Sequence, residues 1–195
     1  MYVPLRVHGH HSLLTGVDAP AALLARGAAL GLPALALTDT DTLSGAVGFL
    51  QAAQRIERAP RPILGAELTD PSGAPGRVVA LVESAAGYAN LCRWISARQI
   101  EHEHFDLIDA AARWQEGLVL LVDHPRLAIA LAGRVERERL HVAVTPAALR
   151  MQSARGEARM PQPRNAARRA RMPAAMPSAS RPQSASICAG EACSM

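Results

Sequence analysis

Three of the seven histidines in the chain fall within four positions, His8, His10 and His11, directly after a strand-like run over residues 2–7. Side chains alternate along a strand, so His8 and His10 point to one side and His11 to the other. Two imidazoles on one face at a strand end are a ready pair of metal ligands. The same spacing also suits a polar turn after an edge strand. Carboxylates recur in comparable places: Asp39 and Asp41 close the apolar run 34–38, and Glu67 lies near the end of the run 62–68. In α/β proteins sites are built at the carboxyl ends of the strands. That recurrence of imidazoles and carboxylates at three such ends tells more than any single motif.

The elements that must position these groups alternate along the chain. Asp18 and Pro20 open a helix that stops at Gly31. Apolar runs at 34–38 and 117–122 read as buried strands, 62–68 and 77–82 as two further strands, and 140–144 as a weaker last strand. Asp70-Pro71-Ser72-Gly73 is a turn signal, so 62–68 and 77–82 read as a hairpin. A second helix carries Leu43, Val47, Leu50 and Ala53 on one side, with Asp41 as a candidate cap. A third, over 86–98, turns Tyr88, Leu91, Cys92 and Ile95 inward; shorter helices follow at 107–114 and 125–132. His124, after Asp123 at a strand end, reads either as a group reaching inward or as a helix start. Strands alternating with helices predict an α/β fold with a largely parallel sheet.

Charge separates the chain into two parts. All 21 basic residues are arginine. Residues 1–150 hold 14 of them against 15 acidic residues, whereas 151–195 hold seven against two. The basic segment has five of the six methionines, five prolines, no aromatic residue and no apolar periodicity. Such a composition predicts disorder, and the chain divides into a folded part, 1–144, and an Arg/Pro/Ala/Met-rich tail, 145–195. An arginine-rich tail can attract nucleic acid electrostatically, but no aromatic is interleaved to stack bases. No apolar run is long enough to cross a membrane, no secretory signal is read, and three cysteines make no disulfide framework. A cytoplasmic protein without membrane attachment is expected.

Read as a series, several motifs carry a resemblance. These are Leu5-Arg6-Val7-His8 with Ser12-Leu13-Leu14, then Leu32-Pro33-Ala34-Leu35-Ala36-Leu37-Thr38-Asp39, then Pro62-Ile63-Leu64-Gly65-Ala66-Glu67. Gly87-Tyr88-Ala89-Asn90-Leu91-Cys92-Arg93 and Glu116-Gly117-Leu118-Val119 follow in order. Over residues 1–144 the chain resembles the PHP (polymerase and histidinol phosphatase) domain, and within it the N-terminal domain of bacterial DNA polymerase III alpha and error-prone alpha-type polymerases. The resemblance implies a distorted seven-stranded β/α barrel, here incomplete. It implies zinc or manganese held by histidines and carboxylates at strand ends, and either phosphoester hydrolysis, including 3′–5′ exonuclease action, or a purely structural role.

Carried over residue by residue, the resemblance makes His8 and Glu67 the inherited ligands. Arg6 stands where the first histidine of the family's H-x-H pair would be, Thr15 and Thr40 replace a carboxylate and a histidine, and Arg77 replaces the next histidine. A guanidinium cannot ligate a metal. His10 remains as an improvised partner for His8; Asp39, Asp41 and His11 remain as supporting or substitute groups. The expectation is one weak zinc or manganese site on His8, His10 and Glu67. The function expected is a PHP module of DNA replication or translesion repair with a degraded metal site and no polymerase domain. Replication or translesion-synthesis proteins would be its partners, and DNA at most a weak one. An active metal-dependent phosphoesterase or exonuclease, and a nucleic-acid binder working through its basic tail, are the alternatives.

Overall fold

Pro20, whose missing N–H costs nothing in a first turn, starts α1 (Pro20–Ala29), and Gly31 at φ 63° turns the chain out of it. The computed structural model describes residues 2–101 and 104–144. The order continues β1 (Ala34–Thr40), α2 (Ala46–Arg55), β2 (Arg61–Thr69), β3 (Arg77–Val82), α3 (Ala85–Ile100), α4 (Leu107–Arg113), β4 (Leu118–Val122), α5 (Pro125–Leu131) and β5 (Leu140–Val142). Together they form a mixed α/β unit around one five-stranded sheet of order β1-β2-β3-β4-β5. The tail expected over 145–195 lies outside the described residues.

β1 and β2 are parallel, β3 is antiparallel to both its neighbours, and β4 and β5 are parallel. Four strands therefore run one way and β3 alone is reversed, through the hairpin signalled by Asp70-Pro71-Ser72-Gly73. One sheet face carries Ala66, Leu68, Val78, Ala80, Leu118, Leu120 and Val122, packed with Leu91 and Trp94 of α3 and Leu107 of α4. Leu35 and Leu37 of β1 meet Leu24 of α1 and Phe49 of α2 in a second cluster. Ala36, Val79 and Leu81 form a smaller third cluster.

Four details depart from expectation. Residues 2–7 form no strand: Ala36 N donates to Pro4 O and Thr38 N to Val7 O, but Val7 N is taken by the Thr38 hydroxyl rather than by a main-chain carbonyl. The segment lies along β1 without joining its ladder. In α2 the buried residues are Ala46, Phe49 and Ala52, while Val47 and Leu50 are exposed. Phe49, the largest apolar side chain of the helix, takes the core and rotates the leucine stripe outward. In α3 Trp94, with Gly87, Asn90 and Leu91, takes the core and Tyr88 is exposed. Asp41 caps no helix: the N-cap of α2 is Gly45, with no side-chain hydrogen bond.

A candidate site closed by two guanidinium groups

The reversal of β3 brings its first residue to the same sheet end as the last residues of β1, β2 and β4. In the β1–β2 register Thr40 stands beside Glu67, and in the hairpin Thr69 stands opposite Arg77. Asp123 follows β4 directly. The 2–7 segment, held along β1, delivers Arg6 and His8 to this end.

Glu67 is fully buried, and it is the hub. Arg6 Nε donates to one carboxylate oxygen and Arg77 Nη1 to the other. His8 Nε2 lies 3.3 Å from the oxygen that Arg6 holds. Asp123 ties the two arginines together: it accepts from Arg6 Nη1 at 3.1 Å and from the Arg77 main-chain N–H at 2.9 Å. Two guanidiniums and two carboxylates thus form a near-neutral lattice. Burial pushes the Glu67 carboxyl up, but Arg6 and Arg77 outweigh that effect and hold it below the ordinary range.

The remaining predicted residues serve local structure. Asp39, nearly inaccessible, accepts from the Gly9 N–H and the Ser12 hydroxyl, both at 2.7 Å, and so fastens the histidine loop to β1. Its second oxygen is buried and has no hydrogen-bond partner among the described residues, beside Gly45 at the start of α2 and the ring of His11. Asp41, at φ 55°, turns away: it accepts from Thr69 N and Thr69 Oγ1 and pairs with Arg98 Nε at 2.7 Å, locking the ends of β1 and β2 to α3. Burial pushes the Asp41 carboxyl up by more than Thr69 and Arg98 draw it back. His10 is exposed and stacks on His11, ring centroids 4.2 Å apart. His124 caps α5 through Nδ1, which accepts from Arg126 N.

Of the sequence-derived set the structure thus joins His8 and Glu67, and leaves His10 at the surface. Two further residues contribute to the site. Asp123 was visible only as an acid just past a buried strand. Ser12 was a motif landmark, yet its buried hydroxyl both donates to Asp39 and accepts from Thr40 N.

The donors present do not fit a tightly held metal. Zinc cages take about four ligands, and among the described residues no three His, Cys, Asp or Glu side chains are grouped to hold an ion. Both oxygens of Glu67 already accept from fixed cations, beside which a dication would be repelled.

Comparison with known proteins accords with this frame. The PHP domain family matches residues 4–170. An error-prone DNA polymerase of Symbiobacterium thermophilum is 43% identical over 102 residues, covering 52% of this chain and 9% of the polymerase. A DNA polymerase III subunit alpha of Pseudomonas fluorescens is 32% identical over 128 residues, 62% of this chain and 11% of the relative. The chain thus spans about a tenth of the length of the curated relatives it matches. An amidohydrolase from Chromobacterium violaceum, solved with bound sulfate and no metal, superposes with a TM-score of 0.54 at 16% identity, over 79% of this chain and 82% of that one. That likeness is one of fold. On the family match and the polymerase relatives, this chain belongs to the PHP domain family.

Proposed function

We propose that this PHP domain is a non-hydrolytic module of the DNA replication or translesion-synthesis machinery. The observation that carries the reading is the capture of Glu67 by Arg6 and Arg77. Each oxygen of a carboxylate so engaged is already neutralised by a guanidinium, so the positive charge a metal would supply is built in. Zinc or manganese would have to bind beside two guanidiniums or displace one of them, so binding is weak and at most a single ion. Without clustered ions there is no metal hydroxide and no clamp on a phosphoryl group. Replication or translesion proteins are the proposed partners and the cytoplasm the proposed location; among the described residues no helix is long and apolar enough to cross a membrane.

Metal analysis of the purified chain, paired with hydrolysis of p-nitrophenyl phosphate and of a single-stranded DNA 3′ end in manganese, tests the proposal. Substoichiometric metal and rates equal to those of a Glu67→Ala control are expected. Two or more tightly held ions per chain, with activity lost in that control, would establish the hydrolytic alternative.

A further inference from the structure

At the end of the sheet away from Glu67 the charges are not balanced. Arg6, Arg77, Arg98, Arg134 and Arg139 each pair with a carboxylate. Arg26, Arg55, Arg58 and Arg61 are exposed and pair with none among the described residues. The fold brings these four together. Arg26 lies in the last turn of α1 and Arg55 in the last turn of α2. Arg61 opens β2 and stands beside Ala34, the first residue of β1, in the parallel register. Its N–H donates to Pro33 O, and a Cβ on Gly27 would come within 2.9 Å of Pro60 Cγ. The end of α1 therefore rests against the chain that joins α2 to β2, and Arg58 lies in that chain.

Little opposes this charge. Neither helix contains an acidic residue, and between positions 19 and 66 the carboxylates are Asp39 and Asp41, at the far end of β1, and Glu57. Glu83 reaches the same sheet end but pairs with Arg139. Helix carbonyl ends attract cations, which accounts for Arg26 and Arg55 but for neither Arg58 nor Arg61. Arg58 is held at φ 56°, third in a turn closed by Ala59 N donating to Ile56 O at 3.2 Å. Glycine and asparagine suit that place, and an exposed arginine adds no packing to offset the strain. Strain of this kind collects at functional surfaces.

The chemistry of the patch selects its partner. Guanidinium forks match phosphate oxygens bidentately. Gln51 is exposed on α2 and shares a face with Gln54 and Arg55, three and four positions on. Side-chain amides of this kind help to position a protein on a phosphate backbone. A protein partner would call for an aromatic or apolar anchor at the centre of the patch, and guanidiniums and amides stand there instead. We propose that this end of the sheet, through Arg26, Arg55, Arg58 and Arg61, docks on the phosphate backbone of a nucleic acid without reading its sequence. The surface is separate from the Glu67 site, and the proposal holds whether or not that site takes a metal.

Anisotropy of a fluorescein-labelled DNA duplex, titrated with the full-length chain over a series of salt concentrations, tests this. Each phosphate contact contributes about 0.9 to the slope of log affinity against log salt. Arg55→Gln/Arg58→Gln/Arg61→Gln should therefore flatten the slope by about 2–3. Arg93→Gln/Arg113→Gln/Arg126→Gln removes the same charge from exposed positions elsewhere and should keep the wild-type slope. Arg58→Gly should flatten it by about 1 while relieving the turn, so that its melting temperature does not fall and the loss is not one of folding. No binding at low salt, an unchanged slope in the patch variants, or an equal change in the control would each overturn the proposal; the last two would leave the arginine-rich tail or net charge as the source of binding. Polyglutamate at equal charge should not displace the DNA, and displacement would overturn the proposal in favour of an acidic protein.

Discussion

Replacing Glu67 by Gln is the most direct probe of the guanidinium lattice, because it keeps the shape and deletes the charge. Glu67 is fully buried and accepts charge-assisted hydrogen bonds from two arginines. Removing one member of a buried ion pair costs about 3–5 kcal/mol. The side chains of Arg6 and Arg77 are 34% and 41% exposed, so both recover hydration once released, and the lower end of the range applies, about 3 kcal/mol. For a folded unit of this size about 3 °C of melting temperature corresponds to 1 kcal/mol, giving a decrease of about 9 °C at neutral pH.

The pH dependence gives the sharper test. The Glu67 carboxyl is held below its ordinary range, so its contribution to stability is complete above the unfolded value, about 4.3, and is lost as pH falls through the lower, folded value. Wild type and Glu67→Gln should therefore converge in acid, where the wild-type side chain becomes a neutral isostere of glutamine. Urea unfolding from neutral pH down to the acid limit of folding measures the difference. A difference below about 1 kcal/mol at neutral pH, or one that does not shrink on acidification, would refute the reasoning.

Two further substitutions examine how the histidine loop is held. Ser12→Ala removes a buried hydroxyl that donates to Asp39 and accepts from Thr40 N, and should cost about 2 kcal/mol in urea denaturation; an effect under about 0.5 kcal/mol would place the loop's anchorage elsewhere. Gly16→Ala drives a methyl group into the Gly9 carbonyl and should cost more than about 3 kcal/mol or prevent folding. Gly48→Ala, in α2 where an added Cβ meets nothing, should instead stabilise by about 0.5–1 kcal/mol.

Element positions were legible in the sequence because their signals are strong. Pro20 and Gly31 bracket α1, the Asp-Pro-Ser-Gly turn marks the hairpin, and β4 is an unbroken aliphatic run. Helix faces were less legible. In α2 and α3 the aliphatic spacing from which a face is read does not weigh side-chain size, and one large aromatic, Phe49 or Trp94, decides the orientation through packing. Within the site, the convergence of His8 with Glu67 follows from the 2–7 segment lying along β1, whose end meets that of β2. The fates of Asp39 and Asp41 do not: two like residues two positions apart diverge because Asp41 adopts a positive φ and leaves the strand. That Arg6 and Arg77 would both seize Glu67 depends on where two long side chains reach, which the hairpin reading alone does not give.

The reversal of β3 also orders events in time. The β2–β3 hairpin joins strands only a short turn apart, while every other pairing in the sheet must wait for an intervening helix to form. Local antiparallel pairs close within microseconds, and loop-closure entropy delays distant ones. The hairpin is thus the natural seed of the sheet, and it already contains both Glu67 and Arg77. Arg6 reaches the carboxylate from 61 positions away, after β1 has docked. Truncating Arg77 to alanine should accordingly slow refolding, whereas truncating Arg6 should chiefly hasten unfolding. Two arginines that look equivalent in the finished protein would then report on opposite ends of the folding reaction.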